Sequence, residues 1–204
     1  MEDMTQRAAC ERFLLRTPTT IAWEPRLSHL GHLIQGYAYS FMLDKDQDLT
    51  GPLTAWGAFE TTHVPLFDRV ILNTFKNVFK AQMRSIFSLS DPKVTQHRKR
   101  EIDHILDEAD KALAASGNTF LVTTDYPTYI DIGFSSLMAP MLGPKILFCK
   151  PSKYAKGRFP SFEAAAGWVP PQGLVDYMEG LEKRPCGRFV LKMFEEWRGK
   201  RIWD

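Results

Sequence analysis

Excess charge, cysteine, strand-forming runs and long apolar segments are all scarce in this chain of 204 residues. Basic residues number 26 and acidic ones 24, for a formal net charge of +2. So close a balance gives no support to a nucleic-acid partner, which calls for a basic face or stripe, and leaves only a local patch open. The three cysteines, Cys10, Cys149 and Cys186, are odd in number and far apart. They supply no CxxC and no Cys/His cluster of metal-ligand spacing, and a reducing compartment is their natural reading. No run is long and apolar enough for a membrane span, and "MEDMTQRAACERF" has acidic residues where a signal peptide has an apolar core. We therefore expect a cytoplasmic protein with no membrane span. Only "TFLVTT" and "KILFC" look extended, and each is short.

What is there is helical periodicity. Residues 1–16 carry Phe13 and Leu14 on one side, and "TPTTIAWEP" breaks that pattern through Pro18 and Pro25. "RLSHLGHLIQGYAYSFML" resumes helical spacing and ends at "DKDQD" and Gly51-Pro52. In "PLFDRVILNTFKNVFKAQMRSIF", Pro65 suits a first turn, and Val70, Ile71, Phe75, Val78, Phe79, Met83 and Phe87 trace one broad apolar face. "KVTQHRKREIDHILDEADKALAASG" repeats Ile102, Ile105, Leu106, Ala109 and Leu113 at steps of three and four, with Gly117 as C-cap. In "YPTYIDIGF", Thr128 is placed to cap a helix by accepting from a first-turn amide, and Asp131 to reach back to the Thr128 amide. The text that follows is apolar all round, which predicts a buried core helix. A Gly/Pro-punctuated stretch from Leu142 to Pro171 reads as an irregular loop with one short helix, followed by two final helices. The expected fold class is all-α, a helical bundle.

Three of these segments, in this order, resemble the helical C-terminal domain of glutathione transferases: "WGAFETTHVPLFDRVILNTFKNVFKAQMRS", "TFLVTTDYPTYIDIGFSSLMAP" and "YMEGLEKRPCGRFVLKMFEEWR". The resemblance implies residues 57–204 as the glutathione-transferase-like helical domain and residues 1–56 as an N-terminal helical extension packed on it. It implies Thr128 and Asp131 as the cap of the family's buried sixth helix. The family holds glutathione in a thioredoxin-like domain ahead of its helices, with a cis Val-Pro and an acidic-Ser pair. Here Val64-Pro65 opens a helical pattern, and no Glu-Ser or Asp-Ser follows it. The resemblance therefore implies no cofactor in this chain, with glutathione relevant only to a complete transferase.

Several side chains invite chemistry. Glu101 and His104, flanked by His97 and Glu108, have half the spacing of a di-iron bundle, and His29 and His32 half that of a zinc site; neither has a second half in the sequence, and solvated helix faces are the plainer reading. Cys186 stands at a helix start between Arg184 and Arg188, where a thiol pKa can fall, although a structural cysteine is the more frequent outcome. Trp23, Tyr37, Tyr39, Phe41, Trp56, Phe75 and Phe79 pack a core by default, and Tyr37, Tyr39, Phe75 and Phe79 are the candidates for an apolar pocket.

Two functions follow. One is a binding or assembly module without its own glutathione site, meeting a protein partner or a second copy over an exposed apolar face. The other is the C-terminal part of an active transferase, conjugating glutathione to an apolar electrophile.

Overall fold

The computed structural model describes residues 16–46, 64–142 and 172–197, with single positions 11, 13, 14, 48, 49 and 53 besides. Among the described residues every regular element is a helix: α1 Pro18–Met42, α2 Leu66–Ile86, α3 Pro92–Ala115, α4 Tyr129–Leu142, α5 Gln172–Lys183 and α6 Pro185–Glu196. The protein is an all-α bundle. "TFLVTT" forms no strand, and "KILFC", Cys10, Cys149 and Trp56 lie outside the described residues.

The first helix begins earlier than the prolines imply. Thr17 caps it reciprocally with Thr20, the Thr20 amide donating to Thr17 Oγ1 (3.1 Å) and the Thr17 amide to Thr20 Oγ1 (2.8 Å). Pro18 occupies the first helical position, where no amide is needed. Pro25 lies inside α1 and not at a break. It deprives the Ile21 carbonyl of a donor, but that residue is about half exposed, so water can take the donor's place.

At the other ends local chemistry behaves as the residue types require. Asp91 caps α3 by accepting from the Lys93 amide. Gly117, at φ +71°, and Asn118, at φ +64°, close α3 in left-handed backbone. There Asn118 N–H donates to the Leu113 carbonyl at 2.7 Å and Gly117 N–H to that of Ala114, the paired bonds of a Schellman end.

The centre of the bundle is α4, which buries Ile130, Asp131, Phe134, Met138, Met141 and Leu142. It packs against α1, α5 and α6, while α3 packs against α1 and α6. One core gathers Leu30 and Ile34 of α1, Ile102 and Leu106 of α3, Phe134 of α4 and Val190 of α6. Residues on both sides of position 57 thus share it. A second, smaller core joins Leu43, Leu49, Leu53, Phe87 and Leu89, with Tyr39, Leu72, Phe79 and Met83 against it.

Helix α2 departs from its expected role. Phe79 and Met83 do turn into the small core and Phe87 is buried there, but Val70, Ile71, Phe75 and Val78 are exposed. The broad apolar face is therefore two faces, and the bundle covers one.

Candidate functional site

Asp131 is fully buried at the start of α4. Its Oδ2 accepts from the Thr128 amide (2.7 Å) and from the Thr128 hydroxyl (2.7 Å), while its Oδ1 accepts from the Leu121 amide (2.7 Å). The amide bond from Thr128 is the expected one. The hydroxyl differs from expectation, because it donates to the carboxylate instead of accepting from a first-turn amide. Burial raises the Asp131 carboxyl above its ordinary value, against the opposing pull of the Leu121 and Thr128 donors. With every donor supplied by its own chain, this carboxylate serves the fold.

Cys186 is enclosed by the fold. The side chain is fully buried, and burial together with a hydrogen bond to Asp110 pushes the thiol up to about 12. The helix-start electrostatics expected to activate it are already spent. Asp110, from α3, accepts from the Cys186 amide at 2.7 Å and from Arg184 Nη2 at 2.8 Å. It caps α6 across the bundle and sets its negative charge beside the sulfur. Arg184 also bonds Asp107, so the basic neighbour is held by two carboxylates. Nothing in "RPCGRF" signals Asp110, 76 residues away.

The four aromatic candidates do not share a pocket. Tyr37 is buried in the main core, edge-on to Phe41 and to Tyr177 at centroid distances of 5.1 and 5.2 Å. Tyr39 and Phe79 belong to the small core, where Tyr39 meets Phe87 edge-on, and Phe75 is 57% exposed. Burial and the nearby Asp103 charge push the Tyr37 phenol up to about 12. Tyr177, which donates to Asp103 Oδ1 at 2.9 Å, is raised further by burial and that carboxylate. Both phenols are neutral at physiological pH. An apolar pocket of about 150 Å³ does lie between α4 and α6, bounded by Ile132, Ser135, Met193, Phe194 and Trp197. It contains none of the four and is small for a drug-sized ligand.

The histidine and carboxylate candidates pair between α1 and α3 and along α3 itself. His29 Nε2 stands 4.0 Å from Glu101, Arg26 Nε 2.7 Å from Glu108, and His104 3.9 Å from Glu108. His32 turns away to the Phe87 ring. Among the described residues no three histidine, cysteine or acidic side chains come together as a metal-sized group. Near the end of α1, Arg84 donates to the Leu43 carbonyl (2.7 Å) and Lys80 to that of Lys45 (3.0 Å), on the wall of an open cleft of about 890 Å³. Burial lowers the Lys80 ammonium from its ordinary value. These cations satisfy carbonyls just past the C-terminus of α1, where positive charge is favoured.

The side of α2 turned away from the small core is exposed. Leu66, Phe67, Val70, Ile71, Phe75 and Val78 are between 41% and 72% exposed, with Ile86 at the far end also open. The signal for it is present in the sequence: apolar residues cover well over half the circumference of α2, more than one core contact can use. No helix among the described residues is long and apolar enough to cross a membrane.

No family model matches the chain, and no curated protein or solved structure matches it significantly.

Proposed function

We propose that this chain is a glutathione-transferase-like helical module without its own glutathione site, working by binding or assembly in the cytoplasm instead of by conjugation. The family reading draws on the three sequence segments quoted above. The role draws on one observation, the exposed apolar stripe of α2, because soluble monomers seldom leave a contiguous patch of that kind bare. Several groups of chemically capable type are engaged within the fold. Asp131 is saturated by backbone and Thr128 donors, Cys186 is buried beside Asp110, and Tyr177 is bound to Asp103.

Calorimetric titration of the purified chain with reduced glutathione tests the reading. No heat of binding up to millimolar ligand is the expected result. Millimolar or tighter binding would overturn it and return the chain to the enzyme class, as part of a transferase that conjugates glutathione to an apolar electrophile.

A further inference from the structure

The polar side of α2 is as regular as its apolar one. Asn77, Lys80, Ala81, Arg84, Ser85 and Ser88 recur at helical spacing, which sets them on one face of the helix and its end. All six line the open cleft of about 890 Å³ near the end of α1, where Lys45, Ser90 and Asp91 meet them. Ala81 is the one apolar residue among the described lining, and it is exposed. An apolar ligand would find little to bury against here, and the single methyl at position 81 leaves the face open between Lys80 and Arg84.

Two cations of this face are fixed by the fold. Lys80, 8% exposed, donates to the Lys45 carbonyl, and Arg84 donates to the Leu43 carbonyl and, at 3.2 Å, to Ser90 Oγ. Among the described residues Arg84 meets no carboxylate, and these bonds leave it further N–H donors. One turn apart, the ammonium and the guanidinium repel each other. Arg84 acts on Lys80 more strongly than any of Asp44, Asp46 and Asp48 does. Those three aspartates are not among the described lining: Asp48 lies 3.4 Å from Lys76, Asp46 lies 3.9 Å from Lys45, and Asp44 accepts from the Asp46 amide. Asp91 does line the cleft, with its Oδ1 held by the Lys93 amide at 2.8 Å.

We infer that this cleft binds a small phosphate monoester with a polar organic part, its dianion seated between Lys80 and Arg84. Two cations one turn apart match a double charge better than the single charge of a carboxylate, and an anion between them offsets their repulsion with two attractions. The remaining N–H donors of Arg84 suit phosphoryl oxygens. The side chains of Asn77, Ser85 and Ser88 bond no other group among the described residues, and they supply the donors and acceptors that hydroxyl groups of the organic part require. The cleft is far larger than a phosphate group alone and falls within the ~300 to 1,000 Å³ of small-molecule sites. The inference stands apart from the assembly reading, because it uses none of the apolar stripe.

Calorimetric titration of the full chain at low salt with glycerol 3-phosphate, beside inorganic sulfate and dimethyl phosphate, tests the inference. Glycerol 3-phosphate is expected to bind in the millimolar range or tighter, more tightly than sulfate and about tenfold or more tighter than the singly charged diester, and to weaken as salt is added. Arg84→Gln should raise its dissociation constant by about tenfold or more, the scale of a lost charge-assisted hydrogen bond. Because Arg84 also holds the Leu43 carbonyl, Ala81→Glu provides an independent arm. It sets a tethered carboxylate on the open face beside Lys80 and three residues from Arg84, and it should abolish binding with the helical circular dichroism and thermal midpoint kept. No binding of glycerol 3-phosphate up to millimolar concentration, equal binding of sulfate, or binding that folded Arg84→Gln and Ala81→Glu chains retain would overturn the inference. A diester bound as tightly as the monoester would also overturn it, by pointing to a phosphodiester such as a lipid headgroup or a nucleic-acid strand.

Discussion

The Leu121 amide donates to Asp131 Oδ1 at 2.7 Å across ten residues, so one carboxylate joins the segment leaving α3 to the first turn of α4. The other oxygen takes both the amide and the hydroxyl of Thr128. A local cap thus doubles as a tertiary tie, and it fixes the entry of the helix around which α1, α5 and α6 pack.

Asp131→Ala should cost more than an ordinary cap. The substitution strands two buried amides and a hydroxyl, each worth about 1 to 3 kcal/mol when left unsatisfied, so a loss of about 3 kcal/mol or more is expected. Denaturant unfolding followed by circular dichroism reads it directly. A midpoint equal to that of the parent would show that Asp131 does not tie the fold.

The pH dependence of that tie has a definite sign. The folded carboxyl is raised above its ordinary value of 3.8, so between that value and the raised one the unfolded chain has lost a proton that the folded chain retains. Stability from this group is therefore largest below the ordinary value and declines as pH rises through the window. Asn does not titrate, so the stability of the parent minus that of Asp131→Asn should shrink as pH is raised from the ordinary value toward neutrality. A gap that widens over this range would reverse the assignment.

Cys186 should be silent toward thiol reagents in the folded protein. With the sulfur fully buried and the thiol pushed up to about 12, almost no thiolate exists at pH 8. In a chain carrying Cys10→Ser and Cys149→Ser, labelling by a disulfide reagent should be slow in the native state and reach the rate of a free thiol only on unfolding. Rapid labelling of the native chain would restore Cys186 as a reactive site.

How much of this was legible depended on the reach of each interaction. Thr128 and Asp131 are three residues apart and declare themselves in the text, as does the Gly117 end of α3. The Leu121 arm of the same tie depends on the path of the linking segment, which no local pattern carries. Cys186 shows the same limit, since its flanking arginines are visible in the sequence but Asp110 arrives from α3 through the fold. Periodicity found the apolar residues of α2, yet it could not say which of two adjoining arcs would be covered; Phe79 and Met83 were, and Phe75 and Val78 were not. Pro25 carries the sequence signal of a break, whereas the Thr17–Thr20 box and the packing of Trp23 and Leu30 hold α1 through it.

Two glycines separate packing from propensity. A Cβ on Gly187 would lie 1.8 Å from the Leu181 carbonyl oxygen and 2.7 Å from its carbon. Both atoms are backbone, and that carbonyl is already held by the Arg184 amide at 3.1 Å. The start of α6 cannot stay where it is with any side chain at this position, so Gly187→Ala should cost about 3 kcal/mol or more, or prevent folding. At Gly180, in α5, an added Cβ would meet nothing within 4 Å. There the change to Ala only removes the backbone entropy of glycine, and a gain of about 0.5 to 1 kcal/mol is expected. Thermal unfolding of the two variants beside the parent should move in opposite directions. Equal behaviour would mean that α5 and α6 do not meet as closely as the Leu181–Gly187 contact requires, and the Asp110 cap on Cys186, which depends on the same placement of α6, would fall with it.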